Sequence, residues 1–66
     1  MTRAMRKVFS AVVLCPGLSV VEVAQLAGVH PDTAGQALPR LEADELVMRS
    51  WRVRRWAIYP AARVLA

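Results

Sequence analysis

Four arginines, Arg49, Arg52, Arg54 and Arg55, are interleaved with Trp51 and Trp56 toward the C-terminal end of this 66-residue chain. Guanidinium groups grip phosphate oxygens through paired N–H donors and tolerate a narrow minor groove, so the cluster points to a nucleic-acid backbone. Contacts from all four give a salt dependence of about −3 to −4 in log units. A second polar set, His30, Asp32, Thr33, Gly35, Gln36 and Arg40, lies upstream. Gln36 can bond adenine N6 and N7 together, and Thr33 can hold a phosphate or touch a thymine methyl. Asp32 repels phosphate unless it accepts from cytosine or caps a helix. His30, just before Pro31, can cap the following helix or touch a phosphate. A third set, Arg3, Arg6 and Lys7, offers backbone contacts. Blander readings compete: a solvated helix face, and an edge hairpin kept from aggregating by its charge. Trp56 shares a strand face with Ile58 and is expected in the core, which leaves Trp51 as the aromatic for a contact role.

The composition excludes several chemistries. One cysteine, Cys15, forms no internal disulfide, and with the single His30 it cannot complete a four-ligand zinc site. No Ser, His and acid grouping, paired-carboxylate motif or glycine-rich phosphate loop is present, so neither an enzyme nor a cofactor is expected. The formal charge is +4, unevenly spread: all five acids lie between Glu22 and Glu45, with three bases before them and five after. That footprint suits phosphate binding at both ends. A chain this short buries only about 60% of its unfolded surface. With 56% hydrophobic residues, some apolar surface is expected to meet a partner, most simply a second copy. Arg3, Arg6 and Lys7 ahead of an apolar stretch imitate a secretion signal. That stretch stops at Pro16-Gly17 without a small-residue cleavage site, and no apolar run of about 18 residues spans a bilayer. The expectation is a cytoplasmic, nucleoid-associated protein without membrane contact.

The elements that must position these groups follow from periodicity. Met5, Val8, Phe9, Val12 and Val13 recur at helical spacing over 2–14, opposite Arg3, Arg6, Lys7 and Ser10. Ser19 and Glu22 have capping-box spacing, which predicts a helix over 19–27 closed by Gly28. Pro31 suits the first position of a third helix, over 31–43, with Ala34, Leu38 and Leu41 inward. Asp32 and Glu42 against Arg40 leave that helix with a net charge of −1, which weakens its attraction for DNA. Pro39 removes a bond to Gly35 and predicts a kink. From 46 to 59 the residues turn β-branched and aromatic, predicting two strands joined near Arg52 to Arg54. Pro60 closes the second strand, and 60–66 is a tail or a single helical turn.

The order Leu18-Ser19, Glu22-Val23-Ala24, Ala27-Gly28-Val29, Thr33, Leu38, Leu41-Glu42, Leu46-Val47 and Arg49, followed by Arg54-Arg55-Trp56-Ala57-Ile58-Tyr59, resembles the winged helix-turn-helix domains of MarR-type and related bacterial or phage regulators. The resemblance covers residues 5 to 60. It implies an α+β, mostly helical fold: one domain over 1–66, with three helices and a C-terminal two-stranded β-hairpin wing. Helix three would enter the major groove through Pro31, Asp32, Thr33, Gly35 and Gln36, and Arg52, Arg54 and Arg55 would match the basic wing. Double-stranded DNA is then the partner, with a homodimer or cooperative oligomer to sharpen recognition. The role is transcriptional regulation or a phage-type accessory task. Glu45 stands where relatives usually carry Gly, so either a left-handed non-glycine residue or a different turn is expected there. The helices that let MarR-type proteins dimerise and bind small effectors have no counterpart, so no effector is expected. The alternative is a winged-helix protein–protein interaction module without DNA binding, favoured by the apolar excess and the acids of helix three.

Overall fold

The computed structural model describes residues 1–52 and 55–65. Arg54 and the expected hairpin turn lie outside the described residues, as does the side chain of Arg52. Three helices, α1 (Arg3–Leu14), α2 (Val20–Ala27) and α3 (Pro31–Ala43), precede the antiparallel strands β1 (Val47–Arg52) and β2 (Arg55–Pro60). A single turn, α4 (Ala62–Leu65), follows.

Each of the first three helices starts on a side chain that satisfies an otherwise orphaned N–H. The Thr2 hydroxyl accepts from Met5 N–H at 3.1 Å. Ser19 and Glu22 close the expected capping box: Glu22 N–H donates to Ser19 Oγ at 3.3 Å, and Ser19 N–H donates to Glu22 Oε1 at 3.0 Å. At α3 the His30 ring is the cap, with Asp32 N–H donating to Nδ1 at 3.1 Å. The Asp32 carboxylate lies 3.7 Å from the same ring nitrogen.

The ends of α2 and α3 use the same device. At α2, Gly28 is left-handed (φ 71°); Gly28 N–H reaches Gln25 O at 3.3 Å and Val29 N–H reaches Ala24 O at 3.0 Å. At α3, Glu45 takes the left-handed position (φ 59°), with Glu45 N–H to Glu42 O and Leu46 N–H to Leu41 O, both at 2.9 Å. These are paired Schellman closures. The left-handed conformation anticipated at Glu45 is present, on a residue whose Cβ opposes it. Between its caps α3 runs through Pro39 as one continuous helix.

The core gathers Val8 and Val12 of α1, Val23 and Ala24 of α2, Ala34, Leu38 and Leu41 of α3, and Val47 and Ile58 of the hairpin. Val13, read as part of α1's inward stripe, is instead 43% exposed, because it lies at the edge of that stripe beside Leu14. Ile58 fastens the hairpin twice over. Its side chain is fully buried, and its backbone accepts from Gly17 N–H at 2.7 Å and donates to Leu18 O at 2.8 Å. Leu18 thus forms a one-residue bridge along β2. Among the described residues, no helix is long and apolar enough to cross a membrane.

Candidate nucleic-acid interface

Because α3 buries Ala34, Ala37, Leu38 and Leu41, its 3.6-residue repeat turns Asp32, Gly35, Gln36 and Pro39 outward. Beyond its chain neighbours and the backbone of its own helix, no described atom lies within 4 Å of where a Gly35 Cβ would stand, so the helix backbone is open to approach at this one position. Thr33, Gln36 and Arg40 line one side of a groove of about 220 Å³, with Thr2, Ala4 and Met5 of the α1 end on the other. Three of the sequence-derived contact residues therefore share one groove. His30 stands at the head of the same helix, engaged as its cap.

Arg3, Arg6 and Lys7 lie elsewhere, on the side of α1 that meets Leu26 and Ala27 of α2, where they line a groove of about 430 Å³. Among the described residues, no carboxylate comes within 4.0 Å of these three bases or of Arg40.

The arginines of the hairpin are differently placed. Arg55 Nη2 donates to Gly17 O at 2.9 Å and meets Glu22 Oε1 at 3.1 Å, so one carboxylate oxygen serves both the α2 cap and the hairpin. The Glu22 carboxyl is held below its ordinary value, first by the Ser19 backbone N–H, then by the Ser19 side chain and the charge of Arg55. Arg49 Nε approaches Glu42 Oε1 of α3 at 2.6 Å. This contact is charge against charge, for Glu42 Oε1 is shielded from solvent and has no aligned hydrogen-bond donor among the described residues. Arg49 and Arg55, read from sequence as phosphate ligands, thus tie the hairpin to α3 and α2. Sequence reasoning missed Glu22 and Glu42 as their partners. The capping-box spacing identified Glu22, but only within its own helix.

The Arg49 guanidinium carbon also lies 5.7 Å from the centroid of the Trp56 ring. Trp56 meets Trp51, its directly opposite partner in the ladder, edge to face at 5.3 Å and 68°. The placement of Trp56 in the core is corrected here. It does share a face with Ile58, but it sits farther along the hairpin, beyond the helices that cover Ile58, and stays 51% exposed. Trp51 is 58% exposed. Among the described residues, no three His, Cys, Asp or Glu side chains gather where a metal ion could bind.

No protein-family profile and no curated protein matches the sequence. Solved structures do. A MarR-family transcriptional regulator from Silicibacter pomeroyi superposes with a TM-score of 0.86 at 25% identity, covering 96% of this chain and 44% of its own. The PcaV transcriptional regulator from Streptomyces coelicolor gives 0.86 at 24%, with 98% and 48% covered. RV1404 from Mycobacterium tuberculosis gives 0.85 at 21%, with 96% and 45% covered. The chain spans less than half the length of each. The fold is the winged helix-turn-helix of MarR-family regulators, with α2 and α3 as the helix-turn-helix and β1–β2 as the wing.

Proposed function

From the winged helix-turn-helix fold we propose that this chain binds duplex DNA, as a regulator of transcription or as an architectural accessory. The N-terminal half of α3 enters the major groove. Gln36 and Thr33 read base edges there, and Arg40 holds the flanking phosphate. The wing lies along the adjoining backbone, with Arg52 and Arg54 as its phosphate ligands and Arg49 and Arg55 exchanging a carboxylate for phosphate only in part. Arg3, Arg6 and Lys7 supply further phosphate contacts.

The observation that carries this reading is the outer ridge of α3. It is small at Gly35, polar at Gln36, and clear of neighbouring side chains where the backbone must come close to DNA. A single copy with so few base contacts discriminates weakly, so a second copy or bending of the DNA supplies the remaining specificity. The exposed Val13, Leu14 and Leu26 give apolar surface for that second copy. The same surface favours the rival reading, a module that binds only protein.

Fluorescence anisotropy with labelled random duplex across a salt series tests the proposal. The expected result is binding that weakens steeply with salt, and a slope that falls by about 2 log units when Arg52, Arg54 and Arg55 are changed together to Ala. An unchanged slope removes the wing from the interface. No binding even at low salt removes DNA altogether.

A further inference from the structure

We infer that the Trp51–Trp56 pair, with Arg49 beside it, is a stacking site for unpaired bases of a nucleic-acid strand. The inference rests on the nucleic-acid reading of the wing and adds a ligand class to it.

Trp51 and Trp56 are the chain's only tryptophans, and both keep more than half of their surface in solvent. The core is filled without them by Val, Leu, Ile and Ala side chains. They occupy the outer part of a hairpin face whose inner part, Val47, Ile58 and Pro60, is buried. The pair is held in place. The two rings meet edge to face at 5.3 Å, Arg49 stands over Trp56 at 5.7 Å, and Glu42 of α3 fixes Arg49 at 2.6 Å. An aromatic platform whose shape is set in advance loses little entropy when a flat ring docks on it.

Charge selects the kind of ring. Arg49 stands over Trp56 on this face, three further arginines follow in the sequence by position 55, and no acid occurs after Glu45. An uncharged apolar partner would strip water from these cations and give nothing back. A base joined to a phosphate satisfies both the indoles and the guanidiniums, as on the aromatic platforms of single-strand binding proteins. Within an intact duplex the bases are stacked on each other, so a single or locally opened strand is the better occupant.

Both indoles belong to the pair, so tryptophan emission reports on this site alone. We would titrate the whole chain with oligo(dT), following emission together with the anisotropy of labelled oligonucleotide, and then repeat the titration with random duplex. The expected result is saturable quenching by oligo(dT), and an about tenfold to hundredfold weaker affinity for it in Trp51→Val, with a clearly smaller loss on duplex. The β-branched Val keeps the strand, which circular dichroism verifies, and Trp56→Val serves as the second variant if Trp51→Val fails to fold. Binding of oligo(dT) without quenching overturns the inference, as does unchanged affinity in the folded variants. Equal losses on oligo(dT) and duplex also overturn it, because the indoles then touch something the two ligands share. If duplex binds and oligo(dT) does not, the stacking site fails while the proposed function stands; if neither binds, both fail.

Discussion

The two halves of one hairpin face make an instructive contrast. Val47, Arg49 and Trp51 on β1 and Pro60, Ile58 and Trp56 on β2 all point to the same side of the ladder. At the root, Val47, Ile58 and Pro60 are buried against the helices; beside and beyond Ile58, Arg49, Trp51 and Trp56 are exposed. The root is held by apolar packing and by the Leu18 bridge. The outer half of this face is held by Glu42 on Arg49, while Glu22 holds Arg55 on the opposite face. Period-two alternation tells which side a residue faces, but not how far the covering layer reaches. One half is therefore hairpin core, and the other is available surface.

The largest expected effect strikes the root. Ile58→Ala removes a fully buried side chain where the hairpin meets the bundle, and should cost about 2–4 kcal/mol in urea unfolding, a large fraction of what a domain this size has. A loss below about 1 kcal/mol would erase the distinction between root and outer half.

A smaller, opposite effect is expected at the junction leading into the root. Glu45→Gly relieves a left-handed non-glycine residue while keeping the closure of α3, and should raise stability by up to about 1 kcal/mol, seen as a higher denaturation midpoint. A drop would mean that the Glu45 side chain contributes more than its backbone costs.

The smallest effect concerns the opposite face and appears with pH. Glu22 titrates lower when folded than its ordinary value near 4.5, so its contribution is complete above that value and is lost as pH falls through the folded one. Glu22→Gln keeps an oxygen for the Ser19 N–H but gives up the charge facing Arg55. The variant should therefore lose less stability than the parent between about pH 5 and pH 3. Identical acid profiles would show that neither the Ser19 cap nor Arg55 draws stability from the Glu22 charge.

Much of this architecture was legible in the residues, and the failures have a common cause. Ser19 and Glu22, Gly28 and Pro31 announce their helix ends because caps are local chemistry, settled within a few residues, whereas Glu45 stood out only through the family resemblance. His30 was legible as a cap for the same reason. What escaped was whatever depends on distant parts of the chain. Arg55 finds Gly17 and Glu22, and Arg49 finds Glu42, only because the fold lays the hairpin across both helices. Trp56 escaped because the reach of the helices over the sheet is a tertiary quantity. On α3 the repeat showed which residues face outward, and left open that Thr33, Gln36 and Arg40 share a groove with the start of α1.

The single-residue bridge at Leu18 also shapes how copies of the chain can meet. It occupies part of the β2 border with Gly17 N–H and Leu18 O, so strand-to-strand growth between molecules is obstructed on that flank. The opposite border, along β1, carries Arg49, whose like charges on two approaching copies repel. A chain rich in apolar residues and carrying a two-stranded ribbon is thus guarded against fibre formation on one side by its own backbone and on the other by its charge.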